Sequence, residues 1–257
     1  MLKLNTSYSF TQVPYITYEA LDEYAVKVIR DAAPELLEKP SILDVEWFVE
    51  YYLGMQIEYK RLSYDRKVLG MTVFNTGLVQ VIDEFSGETA PVDVVEGTVI
   101  IDPILMEKRN AARRRFTFMH EGSHWLLHRP AFSKSNPFGS PGKYENQYLA
   151  AKEGRIDYSR NQKERTDSER IERQADFLAA ALLMPLPTLR MAFKEFFGYY
   201  NERPRQLVRG TNELDNGYAA LMPEYIAKTF GVSKRAALIR LEKLKAIVNK
   251  SDWRYSV

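Results

Sequence analysis

All three histidines of this chain lie between positions 120 and 128, in the run Phe116-Thr117-Phe118-Met119-His120-Glu121-Gly122-Ser123-His124-Trp125-Leu126-Leu127-His128. Its centre reads H-E-x-x-H. A helix turns about 100° per residue, so His120 and His124 fall about 40° apart and look into one cleft. Two imidazoles so placed fit one zinc ion, and Glu121 between them suits a base acting on the metal's water. Phe116, Met119, Ser123, Leu126 and Leu127 gather on another side, so the same helix is expected to bury an apolar stripe. The competing reading is an ordinary pair of core or surface histidines, and the adjoining Glu and the apolar setting speak against it.

A catalytic zinc site needs a third protein ligand and an open position. His128 lies ~12 Å along the helix axis from His120. It cannot share the ion unless the helix breaks, and no glycine lies between His124 and His128 to turn the chain. It is read as a helix-end hydrogen bonder or a cleft-lining residue. The stretch from Glu172 to Pro185 offers more. On a helix Glu172, Ala175, Asp176 and Ala179 share a face, and the alanines let a neighbouring helix approach closely. Glu172 is the expected third ligand. Asp176, one turn on, is the expected acceptor for the outer nitrogen of a ligating His. Taken alone, Glu-x-x-x-Asp would be a solvated face; following an H-E-x-x-H helix, the ligand role is favoured. Attack of a metal-activated water on a carbonyl would also need an oxyanion donor, for which His128, Tyr144, Tyr148 and Tyr158 are unranked candidates. Thr98–Ile101 is a candidate edge strand for pairing with an extended substrate, and Arg114 or Arg115 could contact it.

These residues require a scaffold. Apolar periodicity predicts helices over residues 17–33, closed by Pro34, and over 42–53, with Ser41 as cap and Asp44 in the third position. The pattern then turns β-branched in four short runs, 55–61, 69–74, 78–82 and 98–102. Asn75-Thr76-Gly77 looks like a hairpin turn, and 83–97 reads as a loop. The H-E-x-x-H helix should begin near Ala111 and stop near His128, ahead of Arg129-Pro130. A polar stretch over 131–165 follows. Further helices are expected from the capping box at Thr166 to Pro185, and over 188–197, 223–230 and 233–248. The fold class is therefore α+β: a small, mostly antiparallel sheet of three to four strands packed on zincin-type active-site helices. Residues 1–185 are expected to form the core, and 186–257 a helical subdomain resembling a helix-turn-helix.

Bulk properties narrow the classes. The chain has 257 residues, no cysteine and a net charge of +2. Disulfides and thiolate metal sites are excluded, and the charge does not by itself argue for nucleic acid. The first residues lack a signal pattern, and no apolar run approaches the ~18 residues that span a bilayer. A cytoplasmic protein without a membrane partner is expected.

The run from Arg115 to His128 resembles the R-F-T-x-x-H-E-x-G-H-x-x-L-H signature of the ImmA/IrrE zinc metallopeptidases, a gluzincin-like group. Glu172 to Pro185 resembles that family's E-x-x-A-N/D-x-F-A-A-x-L-L-M-P helix. Phe230-Gly231-Val232-Ser233 with Arg240-Leu241 resembles its C-terminal segment. Ser123 departs from the usual glycine, and the 131–165 insertion lengthens the spacing to Glu172. The resemblance implies a zinc-dependent endopeptidase whose substrate is a helix-turn-helix repressor encoded by a phage or mobile element. Zinc is the default for two His and a carboxylate, although Mn²⁺ and Fe²⁺ also accept such sets. Two other readings remain beside it. One is a DNA-binding regulator using Lys234, Arg235, Arg240, Lys243 and Lys245. The other is a protein that sequesters a repressor and carries a metal without proteolysis.

Overall fold

A computed structural model describes residues 6–132, 148–152 and 166–253. The chain enters through a short antiparallel pair, β1 (Ser7–Tyr8) and β2 (Pro14–Tyr15). Helix α1 (Tyr18–Ala32) follows, with the Thr17 side chain accepting from the Ala20 amide. It ends ahead of Pro34, as its periodicity predicts. The next expected helix is only partly α. A single turn, α2 (Val45–Trp47), passes into a π-helical turn over Phe48–Tyr52. Its cap is Asp44, which accepts from the Trp47 amide at 3.1 Å, whereas the Ser41 hydroxyl donates to the Lys39 carbonyl. The wider π turn buries both Phe48 and Val49.

The main sheet has four strands in the order β3-β7-β4-β8. They are β3 (Gln56–Tyr59), β4 (Val68–Val73), β7 (Thr98–Ile101) and β8 (Tyr148–Lys152). β3 runs parallel to β7, while β4 is antiparallel to both β7 and β8. β7 is therefore interior. The expectation that Thr98–Ile101 forms a substrate-pairing edge is overturned, because strands on both sides take its backbone groups. Nor does Asn75-Thr76-Gly77 close a hairpin. It carries the chain out of the sheet into β5 (Gly77–Ile82), which pairs with β6 (Thr89–Val94). The stretch expected as a loop holds β6, and the true turn lies before it: Asp83 accepts from the amides of Phe85 and Ser86, and Gly87 has φ +72°. Pro91 fits within β6 because a two-stranded ribbon accommodates a missing N–H that a central strand would not.

This hairpin covers one face of the sheet. Val79, Val81 and Val94 pack there with Met71, Val73 and Ile100. On the other face Val99 and Ile101 join the helical core, following the period-two alternation of a strand.

The central helix, α3 (Ala111–Phe132), is packed between that face and α4 (Asp167–Leu183). It runs through Pro130 instead of stopping at His128. A proline in the last turn removes one donor only, and the end is held from outside. Phe132 stacks on Phe74 at 4.8 Å, and its carbonyl accepts from Asn75. The wheel predicts one apolar stripe, but every residue from Thr117 to His128 is buried. A helix with neighbours on both sides has no solvent face, so its polar residues must find partners inside.

Helix α4 begins where expected, with the Thr166 hydroxyl accepting from the Glu169 amide, and ends before Pro185. Helix α5 (Leu186–Tyr199) follows, then β9 (Leu207–Arg209). Helix α6 (Glu213–Phe230) starts well ahead of Pro223, because Asn212 caps it. Gly231, at φ +66°, turns the chain into α7 (Lys234–Lys243), capped by Ser233. This helix is shorter than its pattern suggests. Lys245 takes a positive φ, and the chain continues as β10 (Ile247–Asn249), parallel to β9, and a last turn, α8 (Lys250–Trp253). One apolar cluster extends from Leu21 to Ile247. No single helix among the described residues is long and apolar enough to cross a membrane.

Candidate metal centre

Helices α3 and α4 bring His120, His124 and Glu172 together, with one ligand-type atom from each lying within 4.8 Å of the others. The Nε2 atoms of His120 and His124 are 2.9 Å apart. Glu172 places Oε2 3.4 Å from His120 Nε2 and Oε1 3.7 Å from His124 Nε2. Ala175 and Ala179 on α4 are fully buried. Their small side chains permit the close helix approach. The histidines are buried, while the Glu172 side chain is 41% exposed, so the cluster opens to solvent on the α4 side.

Each imidazole is held from behind. His120 Nδ1 lies 2.9 Å from Asp176 Oδ1, where the sequence places an outer-nitrogen acceptor. His124 Nδ1 lies 3.1 Å from His128 Nδ1, and His128 Nε2 lies 3.0 Å from Gln174 Oε1. Burial opposes a charge on His120, but hydrogen bonds to Asp176 and Glu172 and their charges outweigh it, and its pKa is raised well above the usual imidazole value. Burial pushes His124 well below that value, helped by its two histidine neighbours. Burial likewise lowers His128 to about 4, against the opposing hydrogen bond to Gln174. The donor set fits a divalent cation. Both Nδ1 atoms are engaged by partners behind the site, which leaves the two Nε2 atoms and the Glu172 carboxylate gathered together for a cation to bind.

Glu121 is fully buried against the sheet. Its Oε2 accepts from the Thr72 hydroxyl at 2.6 Å, and the same hydroxyl lies 3.0 Å from the Glu121 carbonyl. The strand comes this close only because residue 70 is glycine. A Cβ there would sit 2.7 Å from both Glu121 Oε1 and Thr117 Cγ2. Ser123 replaces a glycine of the resembling motif without strain, its hydroxyl donating to the Met119 carbonyl at 2.6 Å.

Other candidates are placed differently. His128 is enclosed behind His124, so it does not line a cleft. Tyr144 and Tyr158 lie outside the described residues, and Tyr148 is described only as a backbone position of β8, opposite Val73. Arg114 pairs with Glu46, and the Arg115 Nε donates to the Gly231 carbonyl at 2.9 Å; both serve packing between elements. Of the basic residues considered for phosphate contact, Arg240 is buried and paired with Asp22, and Lys234 meets Glu224 at 3.7 Å. Sequence reasoning missed Gly70, Thr72 and Gln174. The first two touch Glu121 only through the tertiary fold. Gln174 falls about 200° from Glu172 on an ideal wheel, so the pattern turns it away from the site.

The Peptidase_M78 family, described as the IrrE N-terminal-like domain, matches residues 103–242. The chain belongs to this family. The matched segment begins just before α3 and ends within α7, so it holds both site helices together with the Gly231 turn. The expectation of an ImmA/IrrE relative is met, and with it a metallopeptidase-like function. No curated protein and no solved structure matches the chain.

Proposed function

We propose that the protein is a zinc-dependent endopeptidase that cuts a protein substrate, and that the substrate is a helix-turn-helix repressor of a phage or mobile element. The observation that carries the catalytic part is the convergence of His120, His124 and Glu172 in a chain of a peptidase family, with Glu121 next to His120 along the same helix. The repressor comes from the ImmA/IrrE resemblance.

His120, His124 and Glu172 would hold the ion through Nε2, Nε2 and a carboxylate oxygen. When bound, zinc supplies a Lewis acid for the scissile carbonyl and lowers the pKa of its water. Glu121 accepts the proton of the attacking water and returns it to the leaving amine. Thr72 holds the Glu121 carboxylate in place by its hydroxyl. Asp176 orients His120.

The test uses the zinc-loaded protein and a repressor encoded beside it. The parent should cut the repressor. Glu121→Gln should bind zinc as the parent does and lose at least about 100-fold in cleavage rate, the usual contribution of a general base. Equal cleavage by the variant would remove Glu121 as the base.

A further inference from the structure

We infer that His128 and Gln174 are positioning residues that fix His124 in the one tautomer able to present a bare Nε2 to the metal. The inference rests on the metal-site reading of His120, His124 and Glu172, and concerns residues to which that reading assigns no part.

The argument starts at a backbone carbonyl. Pro14 O can only accept, and Gln174 Nε2 reaches it at 2.7 Å. The amide must therefore turn its NH₂ towards Pro14; the reverse orientation would press two acceptors together. Gln174 Oε1 is then the atom that faces His128 Nε2 at 3.0 Å. An amide oxygen only accepts, so His128 must donate from Nε2. A neutral imidazole carries one N–H, which leaves a lone pair on His128 Nδ1. That lone pair faces His124 Nδ1 at 3.1 Å. His124 must donate from Nδ1, and its Nε2 is left without a proton. This nitrogen is the one 2.9 Å from His120 Nε2 and 3.7 Å from Glu172.

Every link is shielded from competing solvent. His124 and His128 are fully buried and Gln174 is 3% exposed. The chain of donors thus runs in one direction, from His124 through His128 and Gln174 to the β2 strand. His120 is oriented by a shorter route, its Nδ1 meeting Asp176 on α4. The two ligands are set by different elements, one by a carboxylate and the other by a neutral relay that adds no charge behind the site. His128 cannot reach the ion, yet it controls a ligand that does.

The test reads the tautomer directly. In metal-free, ¹⁵N-labelled protein at neutral pH, long-range proton–nitrogen correlation should show His124 protonated at Nδ1 and bare at Nε2. Gln174→Leu removes the acceptor and the donor at nearly constant size. It should produce a mixture of His124 tautomers and weaken zinc binding 10- to 100-fold in competition with a chromophoric chelator, the range typical of an outer-shell partner. A residue that merely anchored β2 would leave the tautomer unchanged. The inference is overturned if the parent shows His124 protonated at Nε2, a result that needs no variant to fold. It is also overturned if Gln174→Leu keeps both the parental tautomer and the parental affinity. A parent with the expected tautomer that fails to bind zinc overturns the metal site instead, since the hydrogen-bond relay would then stand without it.

Discussion

Two carboxylates of α4, Glu172 and Asp176, meet the same histidine at its two ring nitrogens, and their substitutions should separate. Glu172 faces His120 Nε2 and His124 Nε2, so Glu172→Ala takes away the proposed third ligand and should abolish stoichiometric zinc, measured by metal analysis after dialysis; full occupancy would strike it from the ligand set. Asp176 meets only His120 Nδ1. Asp176→Asn retains an acceptor oxygen and should weaken zinc about tenfold, with Asp176→Ala nearer the 100-fold end of the usual range. Equal affinities for Asn and Ala would argue against an orienting hydrogen bond. The histidines also set the acid behaviour of the metal-free protein. His128 is held near 4 by burial and His124 is lowered too, whereas both return to about 6.5 on unfolding. The unfolded state therefore binds their protons first. Stability present above pH 6.5 is lost as pH falls towards 4, by up to about 3 kcal/mol from His128 alone. His120, raised, has the opposite sign: its contribution is complete below pH 6.5 and is lost only as pH climbs through its folded value. Urea unfolding at a series of pH values should show stability falling between 6.5 and 4; a flat profile there would mean that the buried imidazoles are not neutral.

At the level of elements, the starts of α1 and α4 were readable because capping is local, whereas the cap of α2, the start of α6 and the ends of α3 and α7 were not. Thr17 and Thr166 each sit three residues before the amide they cap, and a short stretch of sequence contains both partners. The candidate-site residues on α3 and α4 were readable for the same reason, since helical spacing alone puts His120 beside His124 and Glu172 one turn from Asp176. Strand neighbours were not. Nothing near Thr98 announces that Gln56 will lie on one side and Gly70 and Thr72 on the other, so β7 looked like an edge. Gly70 reads as a weak point in a strand, and only the approach of α3 shows why a side chain is excluded. That approach gives a prediction for β4. Gly70→Ala would place a methyl 2.9 Å from Glu121 Cγ as well as against Thr117, and must push the base or the strand aside. Cleavage should fall at least about tenfold, because displacements near 1 Å disturb catalysis strongly. Thr72→Val keeps the shape and loses the hydroxyl. A hydrogen bond to a charged group is worth about 1.5–3 kcal/mol, so kcat should drop roughly 10- to 100-fold with zinc content unchanged. An unaltered kcat in Thr72→Val would show that the packing of the helix alone fixes Glu121.

For the molecule as a whole, the question is how the C-terminal helices are bound to the part that carries the site. One tie is a buried ion pair between Arg240 of α7 and Asp22 of α1, residues remote in sequence. Arg240 also reaches the Met184 carbonyl at 3.4 Å and lies over the Phe177 ring at 5.3 Å, so one guanidinium links α7 to α1 and to both the body and the end of α4. Periodicity could not reveal this. A basic residue in a basic helix reads as a solvated face or a phosphate contact, and only its burial at 1% exposure shows otherwise. The pair should be far more costly to break than to replace. Arg240→Met leaves Asp22 buried without its counter-charge and should destabilise the fold by about 3–5 kcal/mol. Adding Asp22→Leu removes that charge and should restore most of the loss, since well-packed apolar substitutes often match a buried pair. Zinc affinity of the folded fraction should stay within about twofold, because neither residue touches His120, His124 or Glu172. Urea unfolding of the two variants, with zinc titration under native conditions, measures both effects. A loss below about 1 kcal/mol for Arg240→Met would mean that the pair behaves like an exposed surface bridge, and the attachment of α7 would then come mainly from the apolar contacts of Ala236, Ala237 and Leu241.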